Sequence, residues 1–432
     1  MSLEFTHRSV WRIALPMVLS NITVPLLGLV DTFVVGHLPS PDYLGAVAVG
    51  STIFSVLFLG MNFLRMGTTG LAAHAFGKED SEELRRVLMR ALTLAVVIAL
   101  ALIALQHPTL LAALAVIKPD AAISLIASDY FQVRIWAAPA SLMNIVLIGW
   151  FIGRQDGRTP LVLMLIINLI NIALDFLFVM HYDLRASGVA LASVIAEYSG
   201  CIAGLWLALR SLRSKSHGLM EGVLVVSRFR ELMQVNLDLL IRTLALQLTF
   251  VIITAAGARQ GALILAANAV LLNFQWIVSY ALDGFANAAE AMVGRAVGAK
   301  QARALDQAVR LNRAWSLLIA AGMTVIFVLA GNTLIDRITN IEEVRELARV
   351  YLPWLIALPL ISVWSFLYDG VFVGAMRSKE MRNIMVLSTF VIFIPAWWLF
   401  GFMGNHGLWL AFALFMASRG LLMHWQWRRA PG

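Results

Sequence analysis

Two aspartates stand inside long apolar stretches of this chain, where a charged side chain is costly. Asp31 lies in the stretch 12–36, and Asp175 lies in the stretch 160–180. A carboxylate near the middle of a membrane helix costs about 2.5–3.5 kcal/mol on insertion scales. A sequence that keeps such a group usually uses it for a proton, an ion or a cationic ligand. These two carboxylates are therefore the first candidates for function.

The residues before Asp175 place further polar groups on its helix face. Asn168, Asn171 and Asp175 are separated by three and four residues, so a helix presents them on one side. Ser193 enters at a similar depth on the following apolar stretch. Burial and a nearby like charge both favour the protonated carboxyl, so the two aspartates could exchange one proton near neutral pH. We predict a proton site that could also bind cations. Alternatively, these side chains only form hydrogen bonds to neighbouring helices.

The first apolar stretch also contains two prolines, Pro16 and Pro25. A proline inside a helix removes a backbone hydrogen bond and permits bending. A titratable group on a bendable membrane helix is typical of a transport element. We therefore predict that Pro16 and Pro25 are helix-bending positions.

The composition identifies the elements that must position these side chains. Of the 432 residues, 60% are hydrophobic and only 13% are charged, whereas soluble chains average about 25% charged residues. Apolar stretches long enough to span a bilayer alternate with short polar ones. The predicted spans are 12–36, 44–75, 87–106, 123–153, 160–180, 188–209, 232–257, 264–294, 314–334, 348–375, 383–401 and 407–427. The predicted fold class is an all-α integral membrane protein with twelve transmembrane helices.

Lysine and arginine residues concentrate in alternate connections between these spans. The connections of the opposite set contain only Lys118, Arg185, Arg259, Arg337 and Arg345. The positive-inside rule places the basic-rich set in the cytoplasm. Both termini are then cytoplasmic, as an even number of spans requires.

The second half of the chain resembles the first half at one constant offset. That offset aligns Leu44-Gly-Ala46 with Leu265-Ala-Ala267, Gly77 with Gly298, Tyr130 with Tyr351, and Gly149 and Gly153 with Gly370 and Gly374. Each repeat contains about six helices, so the two halves cross the membrane in the same sense and are expected to be related by a pseudo-twofold axis along the membrane normal. We predict an N-lobe over 1–210, a cytoplasmic linker over 211–231 and a C-lobe over 232–432.

Several further charges fall inside predicted spans. Six of them lie in the cytoplasmic half by position: Arg65, Asp238, Arg242, Asp283, Glu290 and Asp369. They could form a cytoplasmic gate, or they could be static ion pairs or side chains that extend to the interface. Glu197, Arg134 and Arg419 have no evident role. Trp136, Phe274, Trp276 and Phe285 could line an apolar drug cavity or pack against lipid and protein.

Motifs for other functions are missing from the sequence. It contains no G-x-x-x-x-G-K-[ST] loop, no H-E-x-x-H and no G-x-S-x-G. The basic residues form no stripe interleaved with aromatics, so nucleic acid is not an expected partner. The single cysteine, Cys201, excludes an internal disulfide. The chain is predicted to be no enzyme, to bind no metal, and to take its energy from an ion gradient or a partner.

Several characteristic stretches are distributed over nearly the whole chain. They include Ser20-Asn-Ile-Thr-Val-Pro-Leu-Leu-Gly-Leu-Val-Asp31-Thr, Phe63-Leu-Arg65-Met-Gly, Val194-Ile-Ala-Glu197-Tyr198, Tyr280-Ala-Leu-Asp283-Gly-Phe285, Asp369-Gly370 and Gly404-Asn-His406-Gly-Leu-Trp. In these stretches the chain resembles the multidrug and toxic compound extrusion (MATE) family, in particular its DinF-like branch.

The resemblance implies two six-helix lobes arranged as a V, and export of lipophilic, often cationic compounds against H⁺ or Na⁺. It implies proton coupling at Asp31, a shared pocket with Asp175, Asn171 and Ser193, and bending at Pro16. The NorM-like branch has a glutamate in its seventh helix, whereas this span offers Arg242 and Gln247 beyond Asp238. A C-lobe Na⁺ site is therefore disfavoured.

Taken together, these features predict a proton-coupled multidrug antiporter with alternating access. The expected setting is a bacterial inner membrane, with membrane lipids around a monomer, H⁺ as coupling ion and no other cofactor. Na⁺ is the alternative coupling ion. The competing hypotheses are a flippase for lipids or lipid-linked saccharides and an intramembrane protease with paired aspartates.

Overall fold

Long apolar helices dominate the computed structural model, which describes residues 3–38, 40–212, 222–223 and 225–429. In these ranges every regular element is helical, and twelve helical segments are long and apolar enough to cross a membrane. In the first half the helices are α1 (His7–Gly36), α2 (Pro41–Leu59), α3 (Asn62–Gly77), α4 (Ser81–Ala104), α5 (Gln106–Ile117), α6 (Ala121–Arg134), α7 (Ala138–Gly153), α8 (Arg158–Asp175) and α9 (Arg185–Leu212). The second half contains α10 (Val226–Arg259), α11 (Ala262–Gly298), α12 (Ala302–Ile338), α13 (Glu342–Gly374), α14 (Ser378–Leu387), α15 (Ile394–Leu399) and α16 (Asn405–Arg429). The prediction of an all-α chain with twelve spans is confirmed.

Four of the spans consist of more than one element. Helices α2 and α3 share the span Pro41–Gly77, and α6 and α7 share Ala121–Gly153. Helix α8 continues into a π-helical turn at Phe176–His181, and α14 joins α15 through another at Ser388–Phe393. The short apolar helix α5 was not predicted, because its 12 residues are too few for a span of about 20 residues.

The contacts divide the chain into two compact units. The N-terminal unit is Leu19–Met233, and the C-terminal unit joins Met1–Val18 to Gln234–Gly432. Helix α1 is thus shared, with its first part packed in the C-terminal unit. There Trp11 makes edge-to-face contacts with Phe285 and Trp315, at centroid distances of 5.4 and 5.0 Å. Of the predicted linker 211–231, residues 213–221 and 224 lie outside the described part of the chain.

Within each unit, one pair of helices packs closely, and the contacting residues occupy equivalent positions of the repeat. A Cβ atom on Gly149 of α7 would lie 2.5 Å from the carbonyl oxygen of Arg65 on α3, and Gly370 of α13 meets the backbone of Ala286 on α11. The offset that aligns Gly149 with Gly370 also aligns Arg65 with Ala286. Such close backbone approach is typical of small-x-x-x-small motifs in membrane helices.

The second glycine of each motif also packs against equivalent backbone atoms in the two units. A Cβ atom on Gly153 would lie 2.7 Å from the carbonyl oxygen of Thr69, and one on Gly374 would lie 2.6 Å from that of Glu290. Thr69 and Glu290 are aligned by the same offset. The repeat that the sequence suggests is therefore present as packing geometry within each unit.

The backbone conformations that follow these helices are also the same at equivalent positions of the two units. After α3 and α11, Glu79 and Lys300 adopt left-handed backbone conformations, with φ of 56° and 54°. After α7 and α13, Gln155 and Met376 do the same, with φ of 62° and 57°. This conformation is uncommon for residues other than glycine, so its recurrence at a constant offset supports an internal duplication of the helix ends as well as of the helices.

Candidate functional site

Helices α1 and α8 bring Asp31 and Asp175 together within the N-terminal unit. The two carboxyl groups lie within hydrogen-bonding reach of each other. Asp175 is completely buried, and Asp31 is half-buried. Ionised carboxylates only accept hydrogen bonds, so a hydrogen bond between these groups requires one proton on the pair. The geometry is that of two acids able to hold one proton.

The side chain of Asn171 bridges this acid pair. With its amide nitrogen turned toward the acids, it donates to Asp175 Oδ2 over 3.0 Å and to Asp31 Oδ1 over 3.3 Å. Its oxygen then accepts from the Ser193 backbone N–H (3.2 Å) and from Ser193 Oγ (3.1 Å). This orientation satisfies both ends of the amide, which is how an asparagine is oriented from its neighbours. Ser193 thus fixes the bridge from α9.

The local sequence explains how α8 presents this cluster. Asn168, Asn171 and Asp175 are all buried along one face of the helix. The π-helical turn begins directly after Asp175. Such turns are rare and occur frequently at functional sites. The predicted set of Asp31, Asp175, Asn171 and Ser193 is therefore assembled as one network, with Asn168 one turn away on the same face.

A cavity of about 370 Å³ lies beside this network in the N-terminal unit. Its lining is mostly apolar, and its polar members come from α2, α6, α7, α8 and α9. The lining residues are Leu27, Phe54, Ser55, Phe58, Arg134, Ser141, Asn144, Ile145, Ile148, Met164, Ile167, Asn168 and Glu197. Its size lies within the range of small-molecule sites, about 300–1,000 Å³.

Two asparagines leave buried polar atoms at the wall of this cavity. Asn144 donates to both the backbone oxygen (2.9 Å) and Oε2 (2.8 Å) of Glu197. Asn144 Oδ1 and Asn168 Nδ2 are buried without a hydrogen-bond partner among the described residues. Buried polar groups are normally hydrogen-bonded, so these two atoms are exceptions among the polar groups of the cavity wall.

Two of the predicted cytoplasmic-side charges, Arg65 and Asp238, have polar partners within their own units. In the N-terminal unit, Arg65 Nε donates to Asn62 Oδ1 over 3.0 Å. In the C-terminal unit, Asp238 accepts from Arg382 Nη1 (2.6 Å) and from Ser378 Oγ (3.0 Å). Arg65 thus bonds one turn earlier on its own helix, whereas Asp238 joins α10 to α14.

The buried triad consists of Arg242 on α10, Asp369 on α13 and Arg419 on α16. Both guanidinium groups donate to Asp369 Oδ2, that of Arg419 over 2.7 Å. Asp283 lies within Coulombic range of Arg419. Glu290, which is 2% exposed, lies further along α11. Arg419, which had no role in the sequence interpretation, is thus the second cation on Asp369.

The predicted bending positions both lie on α1. Pro16 stands in the part of the helix that belongs to the C-terminal unit, and Pro25 stands in the part that belongs to the N-terminal unit. The division between the units, at Val18 and Leu19, falls between the two prolines. Each proline leaves a carbonyl one turn earlier without its usual amide donor.

Several cavity residues were not found from the sequence. Asn144, Ser141 and Phe54 were not singled out, although Ser141 and Asn144 are three residues apart and share one helix face. Glu197 had a signal, a charge inside a span, but nothing in the sequence indicated its neighbours. The aromatic residues that line the cavity are Phe54 and Phe58, and not Trp136, Phe274, Trp276 or Phe285.

Acidic and imidazole side chains do not converge into a metal site in the described part of the chain. No group of three or more His, Cys, Asp or Glu residues there has the geometry to hold a metal ion.

Comparisons with known proteins agree with this architecture. The MatE family model matches residues 16–177 and again residues 239–399. The two matches cover corresponding parts of the two halves, and the offset between them is nearly that of the internal repeat. DNA damage-inducible protein F of Escherichia coli (strain K12) is 42% identical over 433 residues, which cover 99% of this chain and 93% of that protein.

More distant matches extend over the same length. A probable multidrug resistance protein NorM of Rhizobium meliloti (strain 1021) is 23% identical, covering 98% of this chain and 94% of that protein. Among solved structures, the outward-facing conformation of a multidrug resistance MATE family transporter of the MOP superfamily has a TM-score of 0.86 and 17% identity. It covers 98% of this chain and 95% of that chain. This structural likeness shows a common fold.

Proposed function

Because the chain belongs to the MatE family of multidrug efflux transporters, we propose that it is a proton-coupled antiporter. It exports lipophilic, often cationic compounds across a bacterial inner membrane by alternating access. The observation that carries this proposal is the acid pair Asp31 and Asp175 with its amide bridge, because a pair that needs one proton for its own hydrogen bond can gain and lose it. The cavity beside the pair is the cargo site. The names of the relatives, a multidrug resistance protein among them, support a small-molecule cargo.

The transport step follows from the hydrogen bonds of the pair. A proton that enters from outside neutralises Asp31, alone or shared with Asp175. The amide nitrogen of Asn171 then loses a charged acceptor, and its bridge from α1 to α8 weakens. Helix α1 bends at Pro16, the cavity contracts, and the cargo leaves to the outside. The proton is released on the cytoplasmic side after the unit reopens there.

Coupling to H⁺ is favoured over coupling to Na⁺ by the hydrogen bond between the two carboxyl groups, because that bond requires a proton on the pair. In the C-terminal unit, Asp369 is engaged by two guanidinium groups, which disfavours a cation there.

A flippase is the second candidate. A cavity for anionic lipid headgroups should be lined with several basic side chains, whereas this cavity contains one arginine, one glutamate and uncharged polar groups. The cavity chemistry therefore supports a small cationic or neutral cargo over a phospholipid.

Efflux from proteoliposomes tests the proposal. Vesicles loaded with a fluorescent organic cation are compared under an imposed pH gradient and an imposed Na⁺ gradient, for the wild type, Asp31→Asn and Asp175→Asn. The control is Asp306→Asn, since Asp306 is an exposed carboxylate on α12. We expect the pH gradient to drive wild-type and control efflux, and either acid-pair variant to lose at least about tenfold in rate. Efflux driven only by Na⁺, or unchanged in Asp31→Asn, would overturn proton coupling at this pair.

A further inference from the structure

We propose that two charged residues of the cavity have separate roles in cargo binding: Glu197 is the counter-charge for a cationic cargo, and Arg134 makes that binding depend on the charge of Asp31. This inference rests on the proposed function and adds to it the residues that recognise the cargo. The residues that would recognise the cargo are then distinct from the two acids of the proton pair, although their effect depends on the charge of Asp31.

Glu197 is a carboxylate at the wall of a mostly apolar cavity. Asn144 donates to its Oε2 atom and to its backbone oxygen, which holds the side chain in place. No ion pair joins Glu197 to a basic side chain among the described residues. A buried or half-buried carboxylate is stabilised by an opposite charge, and the cavity has room for a ligand to supply one. An amphipathic organic cation matches both the charge and the apolar lining.

Arg134 lines the same cavity and is likewise in no ion pair within the part of the chain that the structure describes. Its guanidinium carbon lies 5.4 Å from the centroid of the Phe54 ring. It also lies within Coulombic range of Asp31. Among the described lining residues, Arg134 is therefore the one whose charge can be offset by the proton pair.

The charged and titratable groups around Arg134 are few. Its own helix α6 contributes Tyr130 and the exposed Asp129, and α1 contributes Asp31. Helix α8 contributes Asp175, and α9 contributes Glu197 on the cavity wall and Arg185 at its start. At the ends of the neighbouring helices lie Asp42 and Tyr43 on α2 and His107 on α5, and Tyr43 accepts from Arg185 over 2.8 Å. None of these end groups lines the cavity.

The charge balance of the cavity then changes with one proton. When Asp31 is ionised, it offsets Arg134, and Glu197 is left to attract a cation. When Asp31 is neutralised, the positive charge of Arg134 is uncompensated and offsets Glu197. Because the interior has a low effective dielectric constant, such a change is felt over several ångströms. Proton uptake thus weakens cation binding before any helix moves.

Equilibrium binding of tetraphenylphosphonium to the full-length protein in detergent tests this inference. The dissociation constant is measured at pH 8 and pH 5.5 for the wild type, Glu197→Gln, Arg134→Gln and Arg134→Lys. The controls are Glu343→Gln and Arg259→Gln, two exposed positions at helix ends. We expect wild type and controls to bind at least about tenfold more weakly at pH 5.5, and Glu197→Gln to bind about tenfold or more weakly at both values.

The arginine variants separate this mechanism from competing ones. Arg134→Gln should bind tightly at both pH values, with a pH effect below about twofold, and Arg134→Lys should keep the wild-type pH dependence because it keeps the charge. A full pH dependence in Arg134→Gln would show that the pH effect does not pass through Arg134, and it would overturn the role of Arg134. Normal binding by Glu197→Gln would overturn the role of Glu197.

The same variants distinguish this inference from the proposed function. If Asp31→Asn abolishes efflux driven by the pH gradient while Arg134→Gln keeps pH-dependent binding, proton coupling stands and the role of Arg134 is wrong. If efflux in Asp31→Asn is unchanged, the proposed function fails whatever the binding data show.

Discussion

Asp175 and Asp369 are both buried carboxylates, yet their partners give them opposite chemistry. Asp175 faces another carboxyl group and an uncharged amide. Asp369 faces the guanidinium groups of Arg242 and Arg419. Because both guanidinium groups donate to the same carboxylate oxygen, we assign Asp369 a structural role that ties α10, α13 and α16 together.

This role predicts a large loss of stability for Asp369→Asn. The substitution leaves two buried guanidinium groups without their counter-charge, which costs about 3–5 kcal/mol when one partner of a buried ion pair is removed. The unfolding midpoint in detergent should fall well below that of the wild type. Asp306→Asn, at an exposed position, should leave the midpoint unchanged. Normal stability together with lost transport would instead support a gate at this triad.

At the residue level, the sequence predicts which side chains share a helix face better than it predicts which side chains of different helices contact each other. The three- and four-residue spacing of Asn168, Asn171 and Asp175 predicts a shared face, because 3.6 residues make a turn whatever surrounds the helix. The partnership of Glu197 with Asn144 follows from how α7 and α9 pack. In helices that are apolar on all sides, the hydrophobic pattern does not distinguish a face toward a cavity from one toward lipid.

At the level of helices, two glycine pairs allow α7 to pack on α3 and α13 to pack on α11. The span boundaries are predictable because a bilayer imposes a minimum length on every apolar stretch. The register of packing is less predictable. It depends on where two backbones can approach, and for Gly149 and Gly153 the signals are their G-x-x-x-G spacing and its repeat at Gly370 and Gly374.

Gly149→Ala should therefore destabilise the protein. The added methyl group would lie 2.5 Å from the carbonyl oxygen of Arg65, closer than packed atoms tolerate, so the helices must separate. We expect a cost of about 1–3 kcal/mol, typical of overpacking, measured as a lower unfolding midpoint. Gly322→Ala on α12 is the matched control, because a Cβ atom there meets nothing within 4 Å. That variant should be neutral or more stable, since alanine favours a helix by about 1 kcal/mol. Equal effects of the two substitutions would contradict close packing at Gly149.

At the scale of the whole molecule, direction of transport depends on which side of the membrane each connection faces. The proposed export uses a proton from outside, and this requires the basic-rich connections to lie in the cytoplasm. Asn340, between α12 and α13, then faces outward, and Lys379, at the start of α14, faces inward. Both residues are exposed, and the single cysteine, Cys201, is buried.

Labelling of introduced cysteines tests this orientation. Asn340→Cys and Lys379→Cys are each placed in a Cys201→Ala background, which removes the only native thiol, and intact cells are treated with a membrane-impermeant maleimide. We expect the cysteine at position 340 to react in intact cells and the cysteine at position 379 to react only after the membrane is opened. Thiol reaction at both positions in opened membranes is the control for accessibility. The reverse pattern in intact cells would invert the topology. The acid pair would then lie nearer the cytoplasmic side, and a proton entering from outside could not be the one that expels the cargo.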